Sequence, residues 1–133
     1  RGDVNNLPIQ VQQAVTQTVL ETSSNSTITA IIALNYGGRD EICRAVRRFM
    51  TTHPGEPITE MAITSNLDLP QVPPVDMIVR SANEKRLSNF LLWDSAYAEL
   101  AFYEKLWPDW DAEDIQRICK DYGKRIRKFG GVQ

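Results

Sequence analysis

The sequence has few of the features that assign a chain to a special class at sight. Its best apolar run, from Ile28 to Leu34, contains a threonine and is far shorter than the roughly 18 residues of a membrane-spanning helix. Its 15 basic and 17 acidic residues give a net charge of −2. Proteins that bind nucleic acids usually carry an excess of positive charge, which this sequence does not have. With 42% hydrophobic residues in a chain of 133, we expect a globular protein with a core, outside the membrane and without a nucleic-acid partner.

Cysteine and histidine are also scarce. Cys43 and Cys119 are far apart and match no zinc or redox spacing, so we expect reduced thiols in a cytoplasmic protein. The single histidine, His53, precedes a proline-glycine turn, which favours a surface position over a catalytic one. The other residues form no Ser-His-Asp triad and no Walker-type phosphate loop. The chain begins at Arg1 without a signal-like leader, and we expect that an upstream segment has been removed.

Helical patterns run through most of the chain. Apolar residues at helical spacing predict a helix after Pro8, a second capped by Asp40 with Arg44, Arg47 and Arg48 largely outward, a short one from Pro57, and a long one from Asp111 to Gly130. A further buried helix is predicted over residues 90–93, entered through Ser88.

Three segments rich in apolar and β-branched residues predict strands, namely residues 27–34, 75–79 and 99–102. Strands that alternate with helices indicate the α/β class, with a mostly parallel sheet and flanking helices. Three strands are few for a complete sheet of this kind, so we expect an incomplete domain.

Two polar loops follow predicted strands, at residues 35–39 and 80–88, where ligands bind in open parallel sheets. The second loop brings together three cations and a hydroxyl at a predicted helix start: Arg80, Lys85, Arg86 and Ser88. Guanidinium groups that each grip two oxygens suit a phosphate or diphosphate. The alternative is a solvated charged loop in which Glu84 neutralises a neighbour, and local composition leaves both open.

Glu99 has the same ambiguity. Between Ala98 and Leu100, its carboxylate is either a ligand for a hard cation or the structural partner of an arginine or lysine. The basic residues near the end of the chain favour the exposed face of a terminal helix, with a subunit boundary as the alternative: Lys120, Lys124, Arg125, Arg127 and Lys128. The nearby tryptophans indicate a core or a dimer interface.

Five blocks in fixed order resemble the cis-prenyltransferases, that is, undecaprenyl diphosphate synthase and its relatives. The blocks are Asn35-Tyr36-Gly37-Gly38-Arg39, Val75 to Arg80, Glu84 to Trp93, Ala96 to Leu100, and Leu106 to Asp109. The similarity extends over nearly the whole chain and includes the closing residues 127–131.

This resemblance implies a Mg²⁺-dependent, homodimeric transferase that condenses isopentenyl diphosphate with an allylic diphosphate and creates cis double bonds in a polyprenyl chain. By the same resemblance, Arg80 and Arg86 neutralise diphosphate oxygens in the isopentenyl diphosphate site. Ser88 and the backbone at Leu87 add hydrogen bonds there, and Glu99 helps to hold Mg²⁺. The long apolar product implies peripheral contact with a membrane.

Two departures from the family pattern limit what the resemblance implies. Ala82-Asn83 stands where the family usually has glycine or serine-glycine, so the loop backbone has less conformational freedom. The Asp-Gly-Asn-Gly-Arg-Trp block, which grips the allylic diphosphate and carries the family's metal-binding aspartate, is absent from the sequence. Residues 1–133 are therefore expected to be the C-terminal part of a single domain, inactive alone and completed by an N-terminal half.

Two other functions remain open at this point. The first is a non-catalytic partner subunit that keeps this fold to stabilise a separate catalytic chain. The second is a generic phosphate-binding α/β module. The intact set of Arg80, Arg86, Ser88 and Glu99 favours the enzyme, because a scaffold does not need groups that bind a diphosphate.

Overall fold

The computed structural model describes residues 1–125, and the chain divides into two units, Arg1–Val72 and Pro73–Gln133. The first unit contains helices α1 (Ile9–Thr22), α2 (Gly38–Thr52) and α3 (Glu60–Thr64). The second contains strands β1 (Met77–Arg80) and β2 (Glu99–Phe102), followed by helix α4 (Ala112–Gly123). The α/β class with a parallel sheet is thus confirmed. Among the described residues, no helix is long and apolar enough to cross a membrane.

Helix α2 starts earlier than the sequence predicted. Its N-cap is Gly37, so Asp40 lies in the first turn with Glu41, where carboxylates favour the positive end of the helix dipole. Of the apolar positions that predicted this helix and were expected to be buried, Ala45 and Phe49 are buried, whereas Met50 is 59% exposed. Helix α3, by contrast, begins later than predicted, at Glu60 rather than at Pro57. The hydroxyl of its N-cap residue Thr59 accepts a hydrogen bond from the Ala62 amide and so fixes this start.

A buried carboxylate organises the first unit. Glu41 is only 1% exposed, and its oxygens accept hydrogen bonds from Arg1 Nε (2.8 Å), from the Tyr36 hydroxyl (2.6 Å) and from the Asp68 amide (3.1 Å). A buried charge is tolerated only when it is paired and hydrogen-bonded, and Glu41 meets both conditions. It thereby connects α2 to the residues on either side of that helix in the chain.

Arg44 was predicted to point outward with Arg47 and Arg48, and for Arg44 this is wrong. Its side chain is half-buried, with Nη2 2.9 Å from Asp68 Oδ2, and it also pairs with Asp40. Burial opposes ionisation of Asp68, but hydrogen bonds from Arg44 and Arg48 hold the pKa of this carboxyl below its usual value.

The predicted strand over residues 27–34 does not form. These residues have no regular secondary structure, and Ile28 and Ile32 are 82% and 67% exposed. A strand that is apolar on both faces needs a neighbour on each side, and residues 1–72 contain no other strand. Arg1 lies alongside this segment, where its backbone nitrogen donates to Ile32 O and its carbonyl accepts from the Leu34 amide.

The second unit is built on two short parallel strands. In their register Met77 pairs with Glu99 and Arg80 with Phe102. Ile78 and Ala101 are buried, which gives the pair its apolar core. Strand β1 begins two residues later than predicted and includes Arg80, so that this arginine ends the strand rather than opening the loop.

The predicted buried helix over residues 90–93 is also absent. Residues 88–97 form successive turns, and φ is 49° at Ser88, 65° at Asn89 and 47° at Leu91. Left-handed backbone cannot continue a right-handed helix, so these positions exclude the helix whatever the hydrophobicity of the segment.

Helix α4 begins where the sequence predicted. The Asp111 side chain accepts from the Glu113 and Asp114 amides, while Asp114 Oδ2 accepts from the Asp111 amide, which completes a capping box. Ile118 is buried, although Ile115 is half exposed, contrary to the predicted stripe. The predicted end of this helix, at Gly130, lies outside the described residues.

We expect the Glu41→Gln variant to lower the free energy of unfolding by about 3 kcal/mol, because it leaves the Arg1 guanidinium buried beside an uncharged group. The matched control is Asp40→Asn, one residue earlier and largely exposed, which should cost less than about 1 kcal/mol. Urea unfolding followed by circular dichroism measures both. Equal losses in the two variants would contradict the assigned role of Glu41.

The cap of α4 yields a second prediction. The hydrogen bond from Lys105 holds the pKa of the Asp114 carboxyl below its usual value, against the effect of burial. This contribution to stability is therefore present above the unfolded-chain pKa and is lost as the pH falls through the lower folded-state pKa. An NMR titration should place the Asp114 pKa below its unfolded-chain value in the wild type and nearer to it in Lys105→Met. Lys124→Met is the control, and a shift of equal size there would refute this cause.

Candidate functional site

Two of the predicted site arginines meet at the carboxyl end of β1. Arg80 is the last residue of the strand, and its Nη1 donates a 2.7 Å hydrogen bond to the backbone carbonyl of Arg86. The bond closes the intervening loop and brings the backbone of Arg86 against the Arg80 side chain. The sequence predicted this proximity from chain order alone.

Arg86 is 67% exposed and pairs with Glu84. The ion pair is the one expected from the alternative of a solvated charged loop, in which Glu84 neutralises a neighbour. An exposed ion pair contributes little, with a typical value of about 0–1 kcal/mol, so a multiply charged ligand can replace Glu84 at small cost. Lys85 is exposed beside this pair and adds a further positive charge.

The turn between the two arginines has an unusual backbone. Ala82 and Asn83 have φ values of 57° and 53°, in the left-handed region that favours glycine. The Ala82 amide donates to Lys105 O at 3.1 Å, and the Asn83 amide donates to Tyr103 O at 2.8 Å. This is the position where the sequence departs from the family pattern, and hydrogen bonds from outside the loop compensate for the missing glycine.

Leu87 and Ser88 continue the loop beyond Arg86. The Leu87 carbonyl accepts from the Phe90 amide at 3.0 Å, while Ser88 is exposed in left-handed conformation. Because no helix starts at Ser88, the partial positive charge expected from helix amides is not available there. The local attraction for anions thus comes from the arginine and lysine side chains.

Glu99 lies apart from this cluster. It is the first residue of β2, three register positions from the Arg80 pair, which corresponds to roughly 10 Å along the sheet. Its Oε2 is 2.7 Å from Arg125 Nη1, and both side chains are 31% exposed. In this structure Glu99 therefore has the structural partner that the sequence analysis left open.

Arg125 is the residue that the sequence analysis did not single out. It stood in a run of basic residues predicted to face solvent, whereas its guanidinium contacts both Glu99 and the Leu100 carbonyl, at 3.2 Å. Because every member of the run is basic, the sequence offered no signal that would separate Arg125 from its neighbours.

The fit of Mg²⁺ depends on Glu99. Within residues 1–125, no three acidic, histidine or cysteine side chains come together as a cation site. Mg²⁺ is commonly bound through one or two carboxylates together with substrate phosphates and water. A single carboxylate at Glu99 suits that mode, provided that the ion competes with Arg125 for it.

Comparison with known proteins gives a consistent answer. The family model described as "Putative undecaprenyl diphosphate synthase" matches residues 1–130. An isoprenyl transferase from Treponema pallidum is 44% identical over 135 aligned residues, covering 99% of this chain and 59% of that protein. A decaprenyl diphosphate synthase from Mycobacterium leprae is 44% identical over 116 residues, covering 84% of this chain and 39% of that protein.

Solved structures agree with the sequence matches. A probable undecaprenyl diphosphate synthase from Campylobacter jejuni superposes with a TM-score of 0.88 at 38% identity, covering 98% of this chain and 61% of that one. Lavandulyl diphosphate synthase from Lavandula x intermedia, solved with dimethylallyl diphosphate, gives 0.87 at 31%, covering 98% and 58%. The chain thus spans about three fifths of these structures. Since the family model covers nearly all of the sequence, the chain belongs to the undecaprenyl diphosphate synthase family, the cis-prenyltransferases.

Proposed function

We propose that this chain provides the isopentenyl diphosphate half-site of a cis-prenyltransferase, which condenses isopentenyl diphosphate with an allylic diphosphate to give a cis-polyprenyl diphosphate. The observation that carries this proposal is the contact between Arg80 and the Arg86 backbone at the end of β1. We further propose that residues 1–133 form the C-terminal part of one domain. The rest of that domain, on the same or another chain, would complete the catalytic site.

The chemistry of the cluster supports a diphosphate ligand. Each guanidinium group has a planar fork of N–H donors that matches two phosphate oxygens, and charge-assisted hydrogen bonds of this kind are about twice as strong as neutral ones. The cluster carries three positive charges, on Arg80, Lys85 and Arg86, and one negative charge, on Glu84. In the proposed site Ser88 and the Leu87 backbone add hydrogen bonds to the same ligand.

The residues of this chain would act by positioning. In the proposed reaction the allylic carbon–oxygen bond breaks with its electron pair leaving on diphosphate. The double bond of the isopentenyl unit forms the new carbon–carbon bond, and a proton is lost from that unit. Arg80 and Arg86 would hold the isopentenyl diphosphate so that its double bond faces the allylic carbon, which lowers the entropic part of the barrier. No nucleophilic side chain is required.

Mg²⁺ is the cofactor that this family generally uses, and Glu99 is the residue of this chain that would help to hold it. When bound, the ion would offset the negative charge of diphosphate oxygens. Glu99 would contribute one carboxylate, and the other ligands would come from substrate, water and the remainder of the fold. We propose a homodimer as the working assembly, with both diphosphates as ligands.

One observation favours the alternative of a non-catalytic partner subunit. Glu99 is already paired with Arg125, which is the arrangement expected if the carboxylate is structural. Such a subunit would stabilise a separate catalytic chain and would not require Mg²⁺ at Glu99. The two functions therefore make different predictions for variants of Glu99.

For the arginines, we expect Arg86→Ala and Arg80→Ala each to weaken binding of isopentenyl diphosphate by about tenfold to a hundredfold. This range follows from the loss of a charge-assisted hydrogen bond. Isothermal titration calorimetry on the full-length protein measures the dissociation constant. The control is Arg47→Ala, which removes the same charge from the exposed side of α2. Unchanged binding in both site variants would refute the half-site.

For Glu99, we expect Glu99→Gln to reduce incorporation of labelled isopentenyl diphosphate by the full-length protein at least about tenfold at low Mg²⁺. High Mg²⁺ should recover part of the rate, because the lost carboxylate lowers affinity for the ion. Glu104→Gln, an exposed glutamate shortly after β2, is the control. If Glu99→Gln keeps normal rates and normal Mg²⁺ dependence, the metal role is wrong and the partner subunit is favoured.

A further inference from the structure

We infer that the N-terminal cap of α4 positions the diphosphate-binding loop, with Trp110 and Lys105 as its positioning residues. The capping cluster consists of Tyr103, Lys105, Trp110, Asp111 and Asp114. The inference rests on the proposed function, because it names further residues on which that site depends. None of these residues was predicted to belong to the site.

The first connection is made by the backbone. Directly after β2, the Tyr103 amide donates to Arg80 O at 2.8 Å, which extends the strand pairing by one bond. The carbonyls of Tyr103 and Lys105 then accept from the Asn83 and Ala82 amides. Three consecutive hydrogen bonds thus fasten the turn that separates Arg80 from Arg86 to a single segment, residues 103–105.

The second connection holds Lys105 through both its backbone carbonyl and its side-chain ammonium group. Its carbonyl, which accepts from Ala82, also accepts from Trp110 Nε1 at 3.1 Å. Its Nζ lies 2.5 Å from Asp114 Oδ2 and 3.1 Å from Asp111 Oδ2. These are the same two carboxylates that cap α4, so the position of Lys105 is tied to the start of a helix.

The third connection orients the aromatic residues. The Tyr103 and Trp110 rings meet edge to face with their centroids 5.7 Å apart. The Arg117 guanidinium, which pairs with Asp114, lies 5.7 Å from the centroid of the Tyr103 ring. Residues 103–105 are therefore held by side-chain contacts as well as by backbone hydrogen bonds.

The loop needs such support because of its conformation. Left-handed backbone is costly at Ala82 and less so at Asn83, because asparagine tolerates this region. Such a conformation at alanine persists only where surrounding contacts impose it. The contacts that impose it are the Lys105 and Tyr103 carbonyls. If these carbonyls move, the turn relaxes, and Arg86 no longer faces the same ligand as Arg80.

The experiment compares Trp110→Phe with the matched control Trp107→Phe in the full-length protein. Trp110→Phe removes the N–H that reaches Lys105 O. Trp107 is 69% exposed and its ring contacts the Trp110 ring, with centroids 5.5 Å apart, so Trp107→Phe keeps an aromatic ring at that contact and leaves the Trp110 N–H in place. We expect Trp110→Phe to accelerate amide hydrogen exchange at Ala82 and Asn83 at least about threefold, and to weaken isopentenyl diphosphate binding about threefold to tenfold. The affinity of Trp110→Phe for the allylic diphosphate should be unchanged. Trp107→Phe should match the wild type in amide exchange at Ala82 and Asn83 and in isopentenyl diphosphate affinity.

A second pair of variants guards against a purely structural effect. Lys105→Met should weaken isopentenyl diphosphate binding, and Lys105→Arg should restore most of it, since arginine can still pair with both aspartates. Loop exchange in Trp110→Phe equal to wild type would overturn the inference, as would faster exchange with unchanged affinity. If the wild type does not bind isopentenyl diphosphate, the proposed function fails. The exchange rates would then still decide whether the cluster holds the loop.

Discussion

The parallel pairing of β1 with β2 is the constraint on which the second unit depends. Its register places Arg80 at the end of one strand and Glu99 at the start of the other. The Tyr103 amide prolongs the pairing and brings residues 103–105 against the turn at Ala82. The positions of the arginine cluster and of the left-handed turn therefore depend on the four residue pairs of these strands.

Features set by neighbours in the chain were predictable from the sequence. The cap at Asp111 depends on residues two and three positions later, and the proximity of Arg80 and Arg86 depends on a six-residue separation. Features set by distant partners were not predictable. Arg44 turns toward Asp68, 24 residues away, and Arg125 reaches Glu99 across 26 residues. A basic run has the same appearance whether one of its members is paired or all are solvated.

The two predicted elements that do not form, the strand over residues 27–34 and the helix over residues 90–93, fail for different physical reasons. Residues 27–34 have the composition of a central strand, but a strand requires hydrogen-bonding neighbours, which residues 1–72 do not supply. The segment after Ser88 has enough apolar residues for a short helix, yet three left-handed positions convert it into turns. In the first case the composition was that of a strand, but residues 1–72 contain no strand with which the segment could pair. In the second, hydrophobicity carried no information about backbone conformation.

The way in which β1 and β2 are joined has a consequence for folding. Parallel strands cannot be connected by a tight hairpin, so residues 81–98 must close as a crossover before any strand pair forms. Loop closure costs conformational entropy before the non-local contacts repay it, and such pairings form slowly. Arg86 and the left-handed turn belong to this crossover, and Arg80 immediately precedes it. Pairing of the two strands thus requires closure of this segment, and substitutions within it should change the folding rate.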